Sequence, residues 1–182
     1  MTDTEIDASS RFQDSLPLSS DAFIAQLTEW GLPFEYFEHV PLRTVEDSKK
    51  VQSQFRAPQD GGAHIKNLFL RDHKKRNVLL VAEQDSPVDL KALKDQLGTG
   101  RLSFGSADRL LEVLGVRPGA VTPLSMINGR AHNVLFFMDA ELRKAEVIYM
   151  HPLVNDRTIE MTMDTLMMFF EQIGVEPVWV DF

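Results

Sequence analysis

GGAHIKNLFLRDHKKRNVLLVAE, Gly61 to Glu83, reads as two strands joined by a charged turn. The strands run over about His64–Arg71 and Asn77–Ala82, with the turn carrying His73, Lys74, Lys75 and Arg76. Side chains of a strand alternate between its faces. Lys66 therefore shares a face with Leu68 and Leu70, while Ile65, Asn67 and Phe69 take the other. Both faces are largely apolar, so the far end of the strand is expected to be buried on both sides. A lysine at the mouth of such a strand is partly desolvated, which disfavours its charged form. It either snorkels to water along its own stem or meets an anionic group or reacting centre.

Outward from this hairpin, strands and helices interleave. Ser19 or Ser20 caps a helix to about Trp30, and Phe34–His39 is a short strand. Thr44 caps a second helix, with Val45, Val51 and Phe55 on its apolar side. After the hairpin, Ser86–Asp89 opens a helix to Leu97, Arg101–Phe104 is a short strand, and Ser106 caps a helix ending at Leu114. A loop from Val116 to about Leu124 follows. Strands are expected at about Val134–Met138, Glu146–Met150, Arg157–Thr162 and Pro177–Asp181. A helical turn spans Asp139–Lys144, and an amphipathic helix spans Met163–Ile173. The pattern predicts an α/β (α+β mixed) fold, a single compact domain with a mixed, curved sheet flanked by helices. Residues 1–18 read as a flexible acidic tail, and 19–182 as the domain.

The chain has 182 residues, 43% hydrophobic and 25% charged, as expected of a soluble globular protein. It has no cysteine, which excludes disulfides, thiolate metal sites and cysteine nucleophiles. No apolar run approaches a membrane span, and the polar N-terminus is no secretory signal; a cytoplasmic protein with no membrane partner is expected. The net charge of −8 lies wholly in residues 1–48, and the remainder is neutral. Arg71, Lys74, Lys75 and Arg76 form a local basic cluster that either contacts phosphates or only keeps the turn solvated.

Several catalytic engines are missing. There is no GxxxxGK[ST] phosphate loop and no GxSxG elbow, and GTGRLSFG has the wrong spacing for GxGxxG. The five histidines are scattered, with no paired metal spacing. No metal and no cofactor is expected. Three features remain. The first is Lys66 with Asn67. The second is the loop Gly119-Ala120-Val121-Thr122-Pro123, either a plain turn or a set of backbone N–H groups for an oxyanion. The third is Met150-His151-Pro152-Leu153-Val154-Asn155, where His151 either transfers a proton or is structural.

GGAHIKNLFLRD, GRLSFGSADRLLEVLGVRPGAVTP and HPLVND occur in this order. Together they resemble the YbaK/ProX family of aminoacyl-tRNA editing domains, over roughly residues 20–182. The resemblance is nearest to the free-standing ProX branch, which deacylates alanyl-tRNA bearing the proline anticodon; the closing EPVWVDF also looks like that branch. The same domain occurs as an insertion in bacterial prolyl-tRNA synthetases. The resemblance implies that Lys66 is the essential lysine and Asn67 its neighbouring asparagine. Gly119–Pro123 matches the GxxxP substrate loop, with backbone groups of Gly119, Ala120 and Val121 on the ester and Thr122 and Pro123 lining the site. His151 matches the histidine of the HPxxN block, Met150 a pocket-shaping residue and Asn155 the asparagine of that block. A small pocket walled by Met150, Val121, Val45 and Val51 would admit alanine and exclude proline.

The implied reaction is hydrolysis of the aminoacyl ester at the terminal adenosine of mischarged tRNA(Pro), most readily Ala-tRNA(Pro). Serine, cysteine or threonine on tRNA is the neighbouring alternative. A non-catalytic module binding tRNA or a synthetase is the rival of another class. The implied partners are the tRNA acceptor end and prolyl-tRNA synthetase, not DNA.

Overall fold

A computed structural model describes residues 5–182. Its elements in chain order are α1 (Ser20–Glu29), β1 (Glu35–Glu38), α2 (Val45–Gln52), β2 (Gly62–Ala63), β3 (Ile65–Asp72), β4 (Asn77–Glu83) and α3 (Leu90–Leu97). These are followed by β5 (Leu102–Phe104), α4 (Ala107–Leu114), α5 (Met126–Gly129), β6 (Leu135–Asp139), β7 (Val147–Met150), β8 (Arg157–Thr162), α6 (Met163–Ile173) and β9 (Val178–Val180).

The helix starts follow their capping residues. Ser19 accepts from the Ala22 N–H, Ser106 from the Arg109 N–H and Thr162 from the Thr165 N–H. Thr44 and Asp47 exchange side-chain and backbone bonds in a capping box at α2. One expected start moves: α3 begins only at Leu90, because the Asp89 carboxylate caps the Lys91 N–H.

The strands divide between two sheets rather than forming one curved sheet. β1-β8-β7-β2 make a four-stranded sheet and β5-β3-β4-β6-β9 a five-stranded one. The chain changes sheet at His64, between β2 and β3. Gly62 makes this crossing possible: a Cβ there would lie 2.1 Å from the Arg56 carbonyl oxygen. No other residue fits so close to the backbone before β2.

β4 is the centre of the packing, paired antiparallel with β3 and parallel with β6. Its Leu79 and Val81 enter the main core, with Phe23 and Leu27 of α1, Leu114 of α4 and Phe169 and Phe170 of α6. Its Val78 and Leu80 enter a second core with Leu70, Leu93 and Phe137. A strand covered on both faces needs an unbroken apolar run, which NVLLVA supplies.

Part of the expected tail is bound to the body. Ser10–Ser15 form a 3-10 helix. Ala8 is buried in the main core, and its carbonyl accepts from the Asn155 N–H. Ser10 donates both its N–H and its hydroxyl to the Asp156 carboxylate, at 2.8 and 2.6 Å. The polar composition of the segment conceals these few contacts. The expected tail residues 1–4 lie outside the described residues.

Candidate functional site

The junction between the sheets leaves a cavity of about 150 Å³. One side is made by Lys66 and Asn67 of β3 with Met150 and His151 at the end of β7; another by Val45, Val51 and Phe55 of α2 and its exit. Gln52 and Gln84 also line it, and their paired amides, 2.8 and 3.2 Å, tie α2 to the loop after β4. Among the described residues Lys66 is the one lysine or arginine in the lining, and no carboxylate lies there. Such a volume is well below the ~300–1,000 Å³ of drug-sized sites, so it suits a group of a few atoms.

Lys66 sits opposite Ala82 in the β3–β4 ladder. Its Nζ donates to the Ser86 carbonyl oxygen, leaving two ammonium donors for a ligand. Ser86 is itself fixed: its hydroxyl donates to Oδ2 of Asp139 at 2.7 Å, which also accepts the Glu83 N–H at 3.1 Å. Fully buried Asp139 thus anchors the loop that orients the lysine. Lys66 is held by a carbonyl rather than by a carboxylate, so its charge is not spent on an internal ion pair.

His151 donates from Nδ1 to the Arg157 carbonyl, 2.8 Å away. Burial pushes its imidazole down to about 4 against the opposing pull of that carbonyl, and nearby His39 pushes the same way. At neutral pH the ring is therefore uncharged, with Nε2 as an acceptor. Asn67 contributes a buried Oδ1 that has no partner among the described residues. A donor on a bound ligand would satisfy it.

The Gly119–Pro123 loop is placed differently from expectation. Val121, expected as a pocket wall, is absent from the cavity lining and packs on the main core instead. The Ala120 N–H, expected to face an oxyanion, already donates to the Arg117 carbonyl at 3.0 Å. Among the described residues the Val121 and Thr122 N–H groups have no such acceptor. Thr122 and Pro123 are buried, and the Thr122 side chain caps Leu124. Gly119 has φ +97, and a Cβ there would crowd the Asn155 amide nitrogen at 3.3 Å. Asn155 itself donates to the Leu42 carbonyl at 3.0 Å. Leu42 lines the cavity, so the loop stands one residue behind its wall.

The basic cluster lies at the other end of β3. Six residues separate Lys66 from Asp72, about 20 Å along a strand. Arg76 is spent on buried Asp72 at 2.7 Å. The structure therefore does not bring Arg71, Lys74, Lys75 and Arg76 to the cavity.

Sequence reading missed an aromatic wall. Tyr149 stacks between Phe55 and His64, with ring centroids 4.5 and 5.1 Å away. Its hydroxyl donates to Glu160 at 2.6 Å and accepts the Arg56 N–H at 2.9 Å. Burial pushes that phenol up to about 12, with the Glu160 bond adding to it. The strand period offered one signal: His64 stands two residues from Lys66. Among the described residues, no three His, Asp or Glu side chains converge as a metal would require.

Residues 39–169 match the model of the aminoacyl-tRNA editing domain family. The chain is 34% identical over 149 residues to "Prolyl-tRNA editing protein ProX" of Acetoanaerobium sticklandii, covering 81% of this chain and 88% of that protein. It is 39% identical over 150 residues to "Prolyl-tRNA synthetase associated domain-containing protein 1" of Xenopus laevis, covering 80% of this chain and 86% of that one. A solved structure proposed to be a trans-editing enzyme for prolyl tRNA synthetase superposes with a TM-score of 0.62 at 15% identity. It covers 88% of this chain and 96% of its own, and bears on the fold alone.

Proposed function

Since the chain belongs to the aminoacyl-tRNA editing domain family, we propose that it is a trans-editing deacylase hydrolysing the ester of mischarged tRNA(Pro), with alanine as the amino acid removed. The observation that carries this reading is the meeting of Lys66, Asn67, Met150 and His151 around one small cavity.

Water adds to the ester carbonyl, giving a tetrahedral oxyanion. The bond to the ribose oxygen then breaks, that oxygen takes a proton, and free amino acid and uncharged tRNA leave. An aminoacyl ester is reactive enough to need no covalent enzyme intermediate. Lys66, fixed by Ser86, supplies positive charge to the ester or the adjoining phosphate. The Gly119–Pro123 loop stands behind the cavity wall, with its Ala120 N–H committed to Arg117, so the positive charge facing the oxyanion is that of Lys66. Neutral His151 accepts a hydrogen bond from the attacking water or a ribose hydroxyl. With its imidazole held near 4 it is too weak a base to hold the proton at neutral pH.

The need for such a site is energetic. A synthetase pocket shaped for a larger side chain rejects a smaller one by only about 1–3 kcal/mol per methylene. A second cavity, bounded by Val45, Val51 and Met150, selects in the opposite direction.

The test is release of labelled amino acid from tRNAs charged with alanine, serine, cysteine, threonine and proline. Alanine is expected to leave the proline tRNA fastest, while Pro-tRNA(Pro) stays intact. Lys66→Ala is expected to slow release at least about 100-fold, the scale of removing one transition-state interaction. Intact Ala-tRNA(Pro) after long incubation with folded wild-type protein would sink the proposal.

A further inference from the structure

Behind the cavity wall lies a second, larger concavity of about 790 Å³. Three guanidinium groups line it, from Arg11, Arg43 and Arg117, along with Gly119 and Asn155. They come from distant parts of the sequence, so no linear motif announces them. Arg11 belongs to the segment expected to be a free tail. It is brought here by the burial of Ala8 and by the bonds from Ser10 to Asp156.

Cavity and groove share a thin partition. Leu42 lines the cavity, and its neighbour Arg43 lines the groove. The Leu42 carbonyl holds the amide of Asn155, which stands on the groove side. Asn155 is 3% exposed, and its Oδ1 has no partner among the described residues. A buried acceptor without a donor is costly unless something supplies one.

The groove contains acids too: Glu5, Asp7 and Asp108. Asp7 approaches Arg43 at 3.3 Å and is steadied by the Ser9 N–H at 2.8 Å. An internal carboxylate thus sits against Arg43 much as a phosphate oxygen would. That ion pair is exposed on its arginine side, 70%, and exposed pairs exchange readily with a competing anion. For Arg11 and Arg117 no ion pair within 4.0 Å is found among the described residues.

We propose that this groove receives the single-stranded 3′ end of the RNA, with Arg43, Arg117 and Arg11 on its phosphodiesters and Asn155 accepting from a hydroxyl or amine of a nucleotide. It rests on the deacylase reading and names where that substrate's chain leaves the site. A cavity of about 150 Å³ takes the aminoacyl group; the nucleotides to which it is esterified must lie outside. Guanidinium forks suit phosphate. Each phosphate neutralised by a guanidinium releases counterions, so removing an arginine lowers the salt dependence of binding.

The experiment compares R43A/R117A with wild type on two esters: Ala-tRNA(Pro) and alanine esterified to free adenosine, which has no phosphate. The preference for the tRNA ester over the adenosine ester is expected to fall about 100-fold, about tenfold for each arginine. In parallel, the log-affinity against log-salt slope for uncharged tRNA is expected to flatten by about 0.7 per arginine. An unchanged preference and an unchanged slope would overturn the assignment. Failure of the deacylase reading looks different: wild type would cleave neither ester, while the binding slope still decides whether the arginines hold RNA.

Discussion

At the level of single residues, Lys66 shows how much a side chain owes to its second neighbour. Alternation put it at the mouth of a buried strand and left open whether it snorkels or reacts. The chain Asp139–Ser86–Lys66 answers the geometric part of that question: the ammonium is tethered beside the cavity. His151 carries a prediction of a different sort. Its imidazole titrates near 4 when folded and near 6.5 when unfolded. Between these values the unfolded chain binds more protons, so stability rises with pH. The contribution is complete above about 6.5 and is lost as pH falls through about 4, amounting to at most about 3 kcal/mol. Urea midpoints measured from pH 4 to 7.5 should rise and then level off. His151→Gln should flatten that rise. A His151→Gln profile as steep as wild type would mean that another group sets it.

Among the elements, the two-residue strand β2 matters more than its length suggests. It joins the four-stranded sheet only because the chain passes within contact of the Arg56 backbone, which Gly62 alone permits. Gly62→Ala should cost about 1–3 kcal/mol, the range for forcing atoms into a packed site. It should also widen the cavity by pushing Arg56 and Phe55 away from Tyr149. Thermal denaturation reads the first effect and deacylation selectivity the second, with proline released more readily. Wild-type melting in Gly62→Ala would show that the backbone yields there without cost. The capped helices were legible because caps act within a turn: Ser19, Thr44 and Ser106 each bond a backbone N–H three residues on. The short α5, Met126–Gly129, was not. A single turn buries too little to imprint a period on the sequence.

For the molecule as a whole, the acidic N-terminal segment changes meaning. Composition makes it a tail, whereas Ala8, Ser9 and Ser10 dock it beside Asn155 and Asp156. Removing residues 1–16 should therefore lower the melting temperature by several degrees, a loss of about 1–3 kcal/mol in a chain of this size. An unaltered melting curve would return the segment to the status of a tail. No helix of the described residues is long and apolar enough to cross a membrane.

Reading the residues in order was enough for the succession of strands and helices, the burial of both faces at the far end of β3, where Phe69 and Leu70 enter different cores, and the candidacy of Lys66, Asn67, Met150 and His151. All of these follow from local periodicity, local capping and motif spacing. It took the folded chain to show that the strands form two sheets, that a cavity opens where they meet, and that Tyr149 and His64 wall it. Folding also withdrew Ala120 from the oxyanion donors and set Arg11, Arg43 and Arg117 around one groove. These facts depend on which distant residues share a surface. Close packing and hydrogen-bond satisfaction across the whole core decide that, and a one-dimensional pattern does not encode it.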